Sequence, residues 1–473
     1  MSTEGSDDDS QYVHLLVLIH GMWGNPSHLA ELRRIMEETR CQATSEKGPG
    51  GERLHVLVAE TNRDDGTYDG IDWGGERVAE EIFGEVKKLT EEGKKVTRFS
   101  VTGYSLGGLI ARYVVGILHQ RGFFQDVVPV NFNTIATPHV GLPRYPGMLS
   151  SLFAYFGPRL LSRTGEQFYV VDKWSQNGRP LLEVMADPNR IFYQALTLFQ
   201  QVRIYANAIN DVTVPYVTAA IEEEDIFVNY GINGMKVELD EKYSPIVKSY
   251  SYPTDVALPP KPRALSREWF KSLKPDRPLL PPALQFRFPL NILLMVVTPV
   301  LIPLIFSLVI TRLALASRAS RSRIKLLEKD ESRTERLVHV IGRLEREMEG
   351  VAIDMFDSPG SPGRSGTPAV SSAASSEPNL FSPPETSAQA AAGSEANPRS
   401  PPADAKKPEV VLSEVQRRLV RSLNTLPGLK KELAFIHPVR NAHAVIICRD
   451  VKRFPGHRQG EGVIRHWVDH FII

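Results

Sequence analysis

Cysteine is nearly missing from this sequence, with only Cys41 and Cys448 in 473 residues. That excludes a disulfide framework and cysteine-rich zinc sites, and it fits a reducing compartment. An excess of one charge is missing too. Lys and Arg number 56 against 55 Asp and Glu, so the net charge of +1 predicts no whole-protein attraction to nucleic acid, and charge has to be read locally. The opening residues, MSTEGSDDDSQ, are acidic and polar, with no basic stretch leading into an apolar one. No cleaved secretory signal is expected, and the cytosolic face is the expected location. What remains is a chain that is 42% hydrophobic, enough for one large core with appendages.

From Tyr12 to about Ala208, apolar runs alternate with helical stretches, which predicts an α/β fold with a mostly parallel sheet wrapped by crossover helices. The strand candidates are HLLVLIHG, LHVLVAE, VTRFSVTG, VVPVNFNTIAT and VRIYANAIN, and near the end of the chain HAVIICRD is strand-like too. Between two of them, Val78, Ile82, Val86 and Leu89 fall at helical spacing on a covering helix. From Arg144 to Gln201 the alternation lapses into an insert rich in Phe, Leu and Tyr, which suits either extra core or a lid or acyl pocket.

The longest uncharged apolar run spans Phe288 to Thr311, flanked by Lys271, Lys274, Arg277 and Arg287 before it and Arg312, Arg318, Arg321 and Arg323 after it. It is long enough to cross a bilayer once. Basic residues on both sides predict that both ends stay in the cytosol, and Pro299 and Pro303 at its centre predict a hairpin. The expected contact is a membrane or lipid droplet surface, through residues 288–311. Beyond a charged helical stretch, residues 355–408 are too poor in large apolar side chains to pack and are expected to be a disordered linker. Ser358, Ser361, Thr367, Ser382 and Ser400 there precede proline and are candidate phosphorylation sites. The expected organisation is a core over residues 10–250, a membrane-anchoring insertion over 251–354, the linker, and a return to the core over 409–473.

In RFSVTGYSLGGLIARY, a strand pattern meets Gly103-Tyr104-Ser105-Leu106-Gly107 and turns helical. A G-x-S-x-G between strand and helix predicts a serine exposed on a strained turn, which makes Ser105 the candidate nucleophile. The amide of Leu106, after the serine, and that of Met22, in the loop after the first strand, are the candidate oxyanion donors. His20 precedes the serine and is read as shaping that loop. Chain order in this fold runs Ser, Asp or Glu, then His, so Asp211 at the end of VRIYANAIND is the candidate acid. Among the histidines that follow, His339 falls in a charged helix, His437 next to a proline, and His466 and His470 on a terminal helix. His443 and His457 both remain as candidate bases.

The blocks HGMWGNP, YDGIDWGGERVAEEI, GYSLGGLIARY, IATPHVGLP, TGEQF, NAINDVTVPY and NAHAVIICRD occur in this order, and together they resemble the "putative serine esterase" family, which includes fungal lipid droplet phospholipase and monoacylglycerol lipase relatives. The resemblance covers about residues 10–230 and 430–473. It implies an α/β-hydrolase with Ser105, Asp211 and His443 as catalytic triad, His139 in a structural role, no metal and no cofactor. It also implies a lipase acting on fatty acyl esters of membrane or droplet lipids, with glycerophospholipids the expected class. Monoacylglycerol or diacylglycerol hydrolysis, acyl transfer with the same triad, and a non-enzymatic droplet scaffold are the alternatives. None of the twelve histidines has Asp five positions on, so a separate H-x-x-x-x-D acyltransferase motif is absent.

Overall fold

A computed structural model of the chain describes residues 11–40, 47–144, 155–175, 177–228, 230–231, 233–251, 266, 290–329 and 411–473. Cys41, His339, the linker over 355–408 and its Ser-Pro and Thr-Pro pairs lie outside the described residues.

Five strands form on the runs read as such: β1 (Tyr12–Ile19), β2 (Arg53–Val58), β3 (Lys95–Tyr104), β4 (Val128–Ile135) and β5 (Gln201–Asn207). A hairpin of β6 (Lys236–Leu239) and β7 (Val247–Ser251) follows, and then β8 (Leu429–Ala434). The main sheet has the order β2-β1-β3-β4-β5-β8, with every pair parallel. The strand order reverses between β1 and β3, and a crevice opens at the carboxyl ends of strands where such a reversal occurs.

The helices are α1 (Ala30–Arg40), α2 (Ile71–Glu91), α3 (Leu106–Gln120), α4 (Ser162–Phe168), α5 (Leu181–Ala186), α6 (Ile191–Thr197), α7 (Tyr216–Ala219), α8 (Leu290–Lys329), α9 (Glu414–Leu423) and α10 (Glu461–Asp469). Side chains alternate along β1, as period-two geometry requires. Leu15, Val17 and Ile19 join a core with α2, α3 and α6, whereas Leu16 and Leu18 join a second core with α1 and α10. The aromatic insert supplies core: Phe168, Leu181, Leu182, Met185 and Phe192 are buried there.

Two expectations need correction. HAVIICRD is not a strand, because residues 443–450 form consecutive turns. The position beside β5 is already taken by β8, so its amides are satisfied locally, Val445 and Ile446 donating to Ala442 O while Ile446, Ile447 and Cys448 fill the second core. The apolar run is not a hairpin either. From Leu290 onward it lies in one continuous helix, α8, with Pro299 and Pro303 inside it. Each proline deletes one donor, but the residues between them are Val300, Leu301 and Ile302, and a reversal needs turn-forming residues that this stretch does not contain.

Trp467 on α10 is fully buried in the second core, more than 300 residues along the chain from β3. Trp467→Ala is expected to cost about 3–5 kcal/mol, the range for emptying a buried aromatic site. Urea unfolding followed by far-UV circular dichroism checks this.

Candidate active site

The site is built where β3 ends and α3 begins. Ser105 stands between them at φ 55 and ψ −125, a backbone that side-chain-bearing residues rarely adopt. The strained turn is held on both sides: Ser105 N donates to Ile135 O at 2.9 Å, and its carbonyl accepts from Gly108 N at 3.1 Å and Thr137 Oγ1 at 3.0 Å. Glycine is required beside it for space. A Cβ on Gly107 would lie 2.1 Å from Ile19 O, and one on Gly103 would lie 2.4 Å from Gly107 O. Strand and helix therefore approach closely, and Oγ stands above the carboxyl ends of the strands.

His443 and Asp211 arrive from the other side of the sheet. Asp211 lies four residues beyond β5, and His443 lies in the turns that follow β8. His443 Nε2 is 3.0 Å from Ser105 Oγ, and its Nδ1 is 2.9 Å from Asp211 Oδ2. With Nδ1–H donating to the carboxylate, Nε2 is left to accept the serine proton. All three residues are buried. The carboxylate is fixed by Asn207 Nδ2 on Oδ2 at 2.8 Å and by the Thr213 and Val214 amides on Oδ1 at 3.0 and 2.8 Å. The base is fixed as well: Tyr104 OH donates to His443 O at 2.8 Å, and His443 N donates to Asn441 Oδ1 at 3.1 Å.

The first-strand loop passes directly against the nucleophile. A Cβ on Gly21 would be 2.7 Å from Ser105 Cβ, and Met22 follows it, half-buried against the core. Leu106 opens α3, and the amides of a helix's first turn have no partner within the helix. Leu106 follows Ser105 directly, and Met22 follows the Gly21 that lies against it. His20 Nδ1 donates to Gly21 O at 3.0 Å, and burial lowers the pKa of this ring. Trp23, at φ 53, is tied to the Asp64–Tyr68 turn, its N donating to Thr67 Oγ1 at 3.1 Å and its Nε1 to Tyr68 OH at 2.9 Å.

The remaining histidines have other partners. His457 Nδ1 accepts from Asp450 N at 3.1 Å and its ring stacks on Phe454. His139 is fully buried, bonded to Thr134 Oγ1 at 2.9 Å, and burial holds its pKa well below the usual histidine value. His466 bonds Tyr205 OH at 3.0 Å, and His437 lies 3.4 Å from Tyr230 OH. Three supporting groups escaped the sequence reading: the Tyr104 hydroxyl, Asn207 and Asn441. Tyr104 sits inside the G-x-S-x-G and Asn207 four residues before the acid, but no spacing rule says that a strand tyrosine holds the carbonyl of a residue 339 positions away. Among the described residues, no group of three or more His, Cys, Asp or Glu is placed to hold a metal ion.

A parallel sheet with a serine on its strand-to-helix elbow, followed in chain order by the acid and the histidine bonded to it, defines an α/β-hydrolase. The family model described as "Putative serine esterase (DUF676)" matches residues 9–222. The chain is similar to "Putative lipase C4A8.10" of Schizosaccharomyces pombe, 31% identical over 218 residues, covering 45% of this chain and 26% of that protein. It is also similar to "Putative lipase ROG1" of Saccharomyces cerevisiae, 31% identical over 251 residues, covering 51% of this chain and 33% of that protein. The chain therefore spans a third or less of the length of these relatives. The solved "putative cell surface hydrolase from Lactobacillus plantarum WCFS1" matches at 15% identity and a TM-score of 0.25, covering 45% of this chain and 75% of that one.

Removing the orienting carboxylate with Asp211→Asn is expected to lower kcat by roughly 10⁴-fold, because an amide favours the wrong imidazole tautomer. His443→Ala is expected to fall by at least about a thousandfold, the scale of losing a triad member, whereas His457→Ala keeps most of its turnover. Steady-state hydrolysis of a soluble p-nitrophenyl ester checks all three.

Proposed function

We propose that this chain is a serine lipase that hydrolyses fatty acyl esters of membrane or lipid droplet lipids, glycerophospholipids first among them, through an acyl-enzyme. The observation that carries this is the hydrogen-bonded series Ser105 Oγ, His443 Nε2, His443 Nδ1 and Asp211 Oδ2, with contacts of 3.0 and 2.9 Å. Ser105 Oγ attacks the acyl carbonyl as His443 takes its proton, and the tetrahedral oxyanion is met by the Met22 and Leu106 amides. His443⁺ then protonates the departing alcohol. Water, deprotonated by the same imidazole, attacks the acyl-serine, and the fatty acid leaves with Ser105 restored.

A water-insoluble substrate is favoured by α8. Its residues 297–329 are long and apolar enough to cross a membrane, and Val300, Ile302, Leu304, Ile305 and Leu308 are exposed. Such a surface is expected to hold the enzyme at the cytosolic face of a membrane or droplet. The names of the fungal relatives speak for lipid esters as a class and say nothing of the headgroup.

Ser105→Ala is expected to abolish hydrolysis while the variant stays folded and lipid-associated. The assay is release of fatty acid from mixed phospholipid and acylglycerol vesicles, resolved by lipid class. Preferential loss of glycerophospholipid in the wild type only is the expected outcome. Turnover retained by the folded variant overturns the nucleophile, and loss of acylglycerols alone transfers the substrate to that class.

A further inference from the structure

Helix α8 changes character near Arg312. On its N-terminal side, Val300, Ile302, Leu304, Phe306 and Leu308 are exposed, whereas on its C-terminal side Ala316, Ser317, Ser320 and Ile324 are buried. Those four lie at helical spacing and dock on α4 and on the Asp64–Tyr68 turn. Small side chains let the helix come close: Ser320 Oγ is 3.1 Å from Ser162 Oγ, and Ser317 Oγ donates to Arg159 O at 2.9 Å. Arg323 Nη2 is 2.8 Å from the buried Asp69 carboxylate, which also pairs with Arg77. The apolar half is therefore a fixed projection from the fold.

The turn beneath α8 is also the one that holds the oxyanion loop. Tyr68 and Thr67 bond Trp23, and Asp64 N donates to Gly24 O at 3.0 Å. Burial raises the Tyr68 phenol, and the Arg312 guanidinium is near enough to act on it in the opposite sense. Arg312 is the first charge after the apolar run, and Trp23, which is 52% exposed, is tied through Tyr68 to the turn on which α8 packs. Tryptophan at the boundary between an apolar stretch and its first cation is what a lipid–water interface favours. Arg312, Arg318, Arg321 and Lys325 are exposed along the same helix and suit anionic headgroups. The pairing of β5 with β8, and of His443 with Ser105, keeps the chain before and after α8 on one side of any membrane. Among the described residues, α8 is the one helix long and apolar enough to cross, so its apolar half must enter lipid without carrying the chain through.

We propose that the mouth of the active site rests on a phospholipid surface, with Trp23 as the interfacial contact beside the oxyanion loop and the docked half of α8 holding it there. This builds on the lipase proposed above, and it gives an acyl chain a path from lipid to Ser105 that need not cross water.

The full chain is mixed with phosphatidylcholine–phosphatidylserine vesicles brominated on the acyl chain near the headgroup. Tryptophan quenching is compared between wild type and Trp23→Phe, with vesicle binding read by co-sedimentation. Quenching that exceeds that of the variant supports the proposal, since the other tryptophans are common to both. Arg323→Glu, compared with the same change made in Trp23→Phe, is expected to retain vesicle binding but lose the share of quenching due to Trp23. Wild type that co-sediments yet is quenched no more than Trp23→Phe overturns the proposal and leaves the lipase standing. Wild type that does not co-sediment overturns both the proposal and membrane attachment, while hydrolysis of a soluble ester by wild type but not by Ser105→Ala separately tests the nucleophile.

Discussion

The pairing of β5 with β8, from Val202 opposite Leu429 to Asn207 opposite Ala434, is the constraint on which the rest depends. The two strands are separated by more than 200 residues of chain, yet they lie side by side in one parallel sheet. Once they are in register, Asp211 and His443 emerge from neighbouring strand ends, and Ala442 N can donate to Asn210 O at 2.8 Å. Closing so long a loop carries a cost that grows only logarithmically with its length, which is why a sheet tolerates a large insertion at this point. The returning segment also contributes apolar burial. Val463, Ile464, Trp467 and Val468 cover one face of the sheet beside α1.

Bonding partners, not burial, distinguish His443 from the buried histidines His14, His139 and His466. His14 and His466 are both pushed down to about 3 by burial, and they bond Ser100 Oγ and Tyr205 OH as neutral rings. His139 is neutral for the same reason, its backbone carbonyl accepting from the buried Arg112. A histidine held neutral in a dry core stiffens the sheet but cannot shuttle a proton through a water-accessible cycle. His443 differs in having a carboxylate on one nitrogen and a nucleophile on the other.

Strain at Ser105 and rigidity around it belong together. A non-glycine residue at φ 55 persists only where its surroundings over-determine it, and here the determinants include hydrogen bonds to both of its backbone polar groups and glycines against β1 and within the elbow. The oxyanion loop is buttressed in the same way, through Trp23 and the Asp64–Tyr68 turn against which α8 packs. The apolar helix and the Gly21–Trp23 loop therefore share a support.

The sequence by itself determined the five leading strands, the elbow at Ser105 and the chain order of the candidate triad. Each is a local matter: period-two apolar patterning makes a strand, and glycines spaced around a serine between strand and helix make the turn. It stopped short at His443 against His457, which local pattern alone left open and which resemblance resolved toward His443. It went wrong at HAVIICRD and at the proline pair in α8, because propensity does not know whether a sheet edge is already occupied or whether residues between two prolines can turn. Tertiary structure alone decided that β8 occupies that edge, that Tyr104 and Asn207 fix the base and the acid, and that half of α8 docks beside the oxyanion loop. These are contacts between residues far apart in the chain, and their geometry exists only once the sheet has brought its strand ends together.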